Sequence, residues 1–178
     1  MTNMLYTLAY PKLSDADLKR IEAIREHHDL PYKDVVAPHF TLVFACDDVP
    51  LESYVAHVQE VGRHMPPIAF HCRYAMLSAD PLSDDAFVFL VPDEGNSAIS
   101  RLHDRLYTGP LADKPRLDLD FVPHITVATK ETLSTAKMLR DQVNEGGVSV
   151  AGTIDSLTVA ELRDNRIEDF AIIPLAGS

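Results

Sequence analysis

Two short stretches of this chain repeat one another, and the repeat limits what the rest can be. Residues 38–44 read Pro-His-Phe-Thr-Leu-Val-Phe, and residues 123–129 read Pro-His-Ile-Thr-Val-Ala-Thr. Both carry Pro-His-apolar-Thr-apolar. Each run is short and rich in β-branched and aromatic residues, which predicts a strand. Side chains alternate across a strand, so His39 and Thr41 fall on one face and Phe40 and Leu42 on the other. His124 and Thr126 separate from Ile125 and Val127 in the same way. The apolar faces predict packing on a core. The His-Thr faces are left to line a groove.

A single copy would mean little. With eight His and ten Thr in 178 residues, composition alone gives roughly 0.45 His-x-Thr hits per chain. Requiring the preceding Pro and the flanking apolar residues lowers this to on the order of 0.006. One isolated copy is most simply a strand histidine beside an ordinary strand former. Two copies in matched frames are not explained that way.

The elements between them also repeat. Residues 4–10 predict a first strand, stopped by Pro11. Ser14 can cap a helix, with Asp17 three residues on and Leu18, Ile21 and Ile24 at helical spacing. Pro31 ends that helix, and a connector leads to the first His-Thr strand. Pro50 opens a second helix through Tyr54, Val55 and Val58, closed by Pro66 and Pro67. Residues 68–79 predict a long strand and 86–91 its partner, across a turn-rich segment. A third helix follows, capped by Asn96 or Ser97, and Gly109-Pro110 breaks it. After the second His-Thr strand comes a fourth helix, ending at Gly146-Gly147. Residues 148–161 read as one long strand, Asp164-Asn165-Arg166 as a turn, and 167–174 as a last strand. The motifs sit 85 residues apart (39 to 124). The first strands of the two halves align at an offset near 82, which suggests internal duplication. The expected architecture is α+β: two pseudo-symmetric lobes, each an antiparallel sheet with helices on its outer face and a groove between them. It forms a single domain over residues 1–178. The lobes divide at about 1–85 and 86–178, with strands exchanged between them. A pseudo-two-fold would bring both His-Thr faces onto one cleft.

Net charge is −11, from 27 acids against 16 bases. That disfavours a broad cationic track for long nucleic acid, while leaving room for a small phosphate-bearing ligand. Two cysteines, Cys46 and Cys72, suggest no disulfide framework, and a reducing compartment is the simpler reading. The first residues lack a signal-peptide pattern and no apolar run is long enough to span a membrane, so a cytoplasmic monomer without membrane contact is expected.

With these motifs the sequence resembles the 2H phosphoesterases, which include RNA 2′,3′-cyclic phosphodiesterases, also called 2′-5′ RNA ligases. The resemblance rests on His39-Phe40-Thr41-Leu42 and His124-Ile125-Thr126-Val127. It extends over nearly the whole chain through the duplicated element order. It implies His39 and His124 as acid and base, and Thr41 and Thr126 as binders of phosphate oxygens. The implied substrate is a small cyclic phosphate or an RNA terminus.

These residue types suit that chemistry. Opening a cyclic phosphodiester needs one group to take a proton from water and another to protonate the departing alkoxide. Imidazole titrates near pH ~6.5, so both forms are within reach at neutrality. Threonine hydroxyls can hold the non-bridging oxygens as their charge shifts. No metal or other cofactor is needed. Arg73, Arg116, Lys130, Tyr6 and Tyr10 are weaker candidates, better read as surface charge or packing. Two other functions compete. A non-catalytic binder of nucleotide or cyclic phosphate fits the same groove. A metal hydrolase could use the two histidines with carboxylates, but leaves the matched threonines unexplained.

Overall fold

The computed structural model describes residues 4–178; the sequence reading of the first three residues lies outside them. The first sheet contains β1 (Leu5–Ala9), β3 (Phe40–Cys46), β8 (Ser156–Arg163) and β9 (Arg166–Pro174), in the order β3-β1-β8-β9. The second contains β2 (Lys12–Leu13), β4 (Ile68–Ala79), β5 (Ala86–Glu94), β6 (Ile125–Lys130) and β7 (Val150–Ile154), in the order β2-β7-β4-β5-β6. All pairings are antiparallel. The fold is α+β, as the sequence leads one to expect.

Local chemistry sets the four helices. In α1 (Asp15–His28) the Ser14 hydroxyl accepts the Asp17 N–H at 3.1 Å. This satisfies one of the unpaired amides of the first turn. In α2 (Leu51–Arg63) Tyr54 and Val58 are buried four residues apart, as a one-sided helix requires. One turn further on, a Cβ at Gly62 would come within 3.0 Å of Ile173 and of the Pro174 carbonyl, so glycine lets α2 approach β9 closely. In α4 (Leu133–Glu145) the Thr132 hydroxyl accepts the Thr135 N–H at 3.2 Å. The cap of α3 (Asn96–Leu106) differs from expectation. It is Gly95, at φ 84°, rather than Asn96 or Ser97. The tight exit from β5 demands a left-handed residue whose missing Cβ would lie 2.5 Å from the Ala69 carbonyl. Asn96 instead donates to the Pro92 carbonyl.

α1 packs on β6 and α4 on β4, β5 and β6 of the second sheet; α2 packs on β8 and β9 of the first, and α3 lies at the junction, against β3 of the first sheet and β4 and β5 of the second. Each sheet is therefore built from strands and covered by helices of both halves. Phe40 of the first sheet meets Phe70 of the second edge to face at 5.0 Å, and the core runs across the junction.

Residues 148–161 do not form one strand. The run breaks at Asp155 into β7 and β8, which join different sheets. Asp155 is held at the crossing: its carbonyl accepts the Leu175 N–H at 2.9 Å and its carboxylate pairs with Lys12. Ile154 and Leu157 on either side are both fully buried, so the apolar pattern carries no mark of the change.

Candidate active site

The two motif strands share an irregularity. Leu8 lies opposite Thr41 and Thr7 opposite Val43, which leaves Leu42 as an extra residue in β3. Phe89 lies opposite Thr126 and Val88 opposite Ala128, which leaves Val127 extra in β6. The same bulge thus follows the same threonine in both strands. A bulge sharpens the local twist and redirects the side chains beside it. These registers equate Leu8 with Phe89, an offset of 81, one residue from the sequence alignment (8 to 89).

His39 and His124 each stand one residue before their strand begins. Both therefore have freedom that a strand residue lacks, and both use it identically. The Nδ1–H of His39 donates to the Ala37 carbonyl at 2.8 Å, and that of His124 to the Val122 carbonyl at 2.6 Å. A carbonyl only accepts, so the proton of each neutral ring sits on Nδ1 and the lone pair on Nε2. Phe40, Leu42, Ile125 and Val127 are buried in the core, whereas both histidines and both threonines are partly buried at its edge. That is the alternation read from the sequence.

The surroundings of the two imidazoles differ. Phe89 stacks on His124 at 3.6 Å and 17°, and Phe87 stacks in turn on Phe89. Tyr10 meets His39 only edge-on, at 6.2 Å. Desolvation lowers the pKa of His124 to about 4, with the nearby His39 adding to the effect. Desolvation also lowers that of His39; the Ala37 carbonyl opposes this, and Arg25 reinforces it more than Asp29 counters it. The two rings lie close enough that charge on one disfavours charge on the other. Both shifts favour the neutral form of each imidazole.

The weaker candidates separate. Tyr10 lies beside His39, and its burial, with Asp169 nearby, pushes its phenol up to about 12. Tyr6 is half-buried on the same side of β1. Arg73 is engaged by Asp93 and Glu94, and Arg116 by a bidentate pairing with Asp118. Lys130 contacts His28 Nδ1 at 2.8 Å. Among the remaining histidines, His57 bonds the Leu106 carbonyl, His64 bonds Glu60 and His71 bonds Ser149. Among the described residues, no cluster of three or more His, Cys, Asp or Glu gathers at metal-binding geometry.

Sequence reasoning missed Phe89, Arg25 and Asp29. Phe89 is distinguished only by its register against Thr126. Arg25 carried a readable signal: it lies one turn beyond Ile21 on the buried face of α1, where a charge is out of place.

A two-lobed α+β frame with a twinned His-Thr site defines a class, and comparison with known proteins identifies it. The sequence pattern of the 2′-5′ RNA ligase superfamily matches residues 13–166. The chain belongs to this superfamily, the 2H phosphoesterases, whose members act on phosphodiester bonds. A protein of Bacillus licheniformis carrying the name phosphoesterase is 30% identical over 130 residues, spanning 68% of this chain and 72% of that one. A similarly named protein of Geobacillus kaustophilus is 30% identical over 115 residues, and that match spans 61% of this chain and 62% of the relative. The fold is similar to that of Escherichia coli LigT complexed with 3′-AMP, at a TM-score of 0.61 and 15% identity, covering 98% and 99% of the two chains. It is also similar to Kluyveromyces marxianus Usb1, at a TM-score of 0.62 and 8% identity, covering 97% and 98%. Among the described residues no helix is long and apolar enough to cross a membrane.

Proposed function

We propose that this protein hydrolyses a 2′,3′-cyclic phosphate, on a nucleotide or an RNA end, to a phosphomonoester by two-histidine acid-base catalysis without a metal. The observation that carries this is the matched pair of Nδ1–H to carbonyl hydrogen bonds, which leave Nε2 of His39 and of His124 as the working nitrogens. One Nε2 accepts a proton from the attacking water. The other, protonated, delivers its proton to the ribose oxygen that leaves phosphorus. Thr41 and Thr126 donate to the non-bridging oxygens, where fixed donors stabilise the transition state most. The acidic form comes from the substrate. A phosphodiester anion beside both rings favours the charged imidazole, so binding raises the pKa values that desolvation depresses. With the 5′-hydroxyl of a second RNA end attacking in place of water, the same base takes its proton and the same acid protonates the departing ribose 3′-oxygen, which leaves a 2′-5′ linkage, so ligation is a side activity of this site.

Small nucleotides suit the reading. LigT has been solved with 3′-AMP, ATP and NADP+. The acidic chain disfavours a long duplex. The same reading takes the protein as a monomer acting in the cytoplasm, in keeping with Cys46 and Cys72 being free and buried. The test is turnover of a 2′,3′-cyclic nucleotide by purified protein in excess chelator, beside His39→Ala and His124→Ala. Turnover lost in both variants is the expected result; equal turnover in all three ends the proposal. A non-catalytic binder would instead bind the nucleotide and leave it intact.

A further inference from the structure

Outside the histidines and threonines, the most heavily engaged polar groups in the interior are Arg25 and Asp29, 4% and 1% exposed. Arg25 Nε donates to Asp29 Oδ2 at 3.0 Å. Arg25 Nη2 donates to the carbonyls of Tyr32, at 3.1 Å, and Val36, at 2.8 Å. Val36 precedes Ala37, whose carbonyl accepts the Nδ1–H of His39. Asp29 Oδ1 accepts the Thr129 hydroxyl at 2.9 Å, and Thr129 lies on β6, three residues beyond Thr126. One ion pair thus ties the loop that orients His39 to the strand that follows His124.

Burying two charges costs several kcal/mol per ion before their attraction returns any of it. Stability alone is a poor reason for such a pair. The other half of the molecule makes the equivalent joint with rings, His103 stacked on Phe121 at 3.6 Å, so the fold does not require charge here. A guanidinium differs from a ring in holding several carbonyls at once, in fixed directions.

We propose that Arg25, clamped by Asp29, is a positioning residue: by fixing the carbonyls of the 32–37 loop it sets the ring of His39, and through Thr129 it fixes that ring relative to the second motif. This rests on His39 being catalytic, as proposed above. Arg25 does not touch the reacting atoms; it acts through the Ala37 carbonyl.

The test is steady-state kinetics on a 2′,3′-cyclic nucleotide for Arg25→Met and Arg25→Lys. Thermal melting and 15N NMR of the histidine rings accompany it. A displacement on the order of 1 Å costs about 10²-fold in rate. Arg25→Met is therefore expected to lower kcat by about ten- to a hundredfold with KM little changed. The His39 Nδ1–H signal should be lost to a mixture of tautomers while His124 keeps its own. Arg25→Lys, which cannot span all three acceptors, is expected to lose less. If Arg25→Met does not fold, Arg25→Lys decides. Wild-type kcat in a folded variant overturns the proposal, and so does a loss confined to KM or a loss of kcat with the His39 tautomer undisturbed. Should the wild-type protein turn over no cyclic phosphate, the proposed activity fails. The tautomer measurement then decides positioning on its own.

Discussion

The two halves of this molecule make the same joint from different materials. In the first, the helix before the motif ends at Asp29, whose carboxylate reaches across to Thr129 of β6. In the second, the corresponding helix ends at Tyr107, whose hydroxyl accepts the Phe44 N–H of β3 at 3.1 Å. One turn earlier stand Arg25 and His103. The first grips backbone carbonyls ahead of His39; the second stacks on Phe121 ahead of His124. The topology fixes where a helix terminus must hold a motif strand. It leaves open whether charge or aromatic packing does the holding. The bulges and the Nδ1 hydrogen bonds, by contrast, are the same in both halves, as the proposed acid-base pair would require.

Four experiments break or sharpen this comparison. The largest effect falls where the halves are alike. His39→Ala and His124→Ala should each lower kcat by about 10²–10⁴-fold, and the double variant should lose little more than the worse single one, since acid and base act as a unit. A multiplicative loss in single-turnover assays would mean that the halves work independently. Next comes the point of greatest difference. Asp29→Ala strands the buried Arg25 charge and should cost about 3–5 kcal/mol of stability. Tyr107→Phe gives up one hydrogen bond and should cost about 1 kcal/mol. Denaturant melts compare them directly, and equal losses would erase the contrast between the joints. Thr41→Val and Thr126→Val each remove one donor to a charged oxygen, worth about 1.5–3 kcal/mol, or roughly ten- to a hundredfold in kcat/KM. Unequal losses would show one phosphate oxygen held mainly from one half. The mildest effect is in pH. The acid must be protonated, and both free-enzyme pKa values are lowered, that of His124 to about 4. The bell in kcat/KM should therefore lie wholly below pH ~6.5, falling as pH rises through its upper limb. The kcat profile should sit higher, because bound phosphate raises both values. These limbs belong to the pair rather than to either ring. A kcat/KM optimum above 7 would contradict the desolvated setting of the rings.

Much of this was legible in the chain because it is local. The Pro-His-apolar-Thr frames, their apolar faces, the Ser14 cap and the Asp164-Asn165 turn all depend on residues within a few positions. What was not legible depends on partners far away. Residues 148–161 look like one strand because Ile154 and Leu157 are equally apolar, although they serve different sheets. Gly95 became a cap only because β4 passes so close. The histidines were read as strand residues, yet they stand just outside, where a ring can turn back on its own chain. Nothing in a single sequence tells Arg25 of α1 that its acceptors lie beyond the helix, on the way to His39.

The mixing of both halves in each sheet bears on how the molecule comes apart. Taking either half away removes strands and helices from both sheets at once. Heating should therefore produce one transition rather than two. A fragment ending at the midpoint of the chain would be left without the cover over its own strands. Neither half is therefore expected to fold when expressed alone, and separate expression of residues 1–85 and 86–178 would check it.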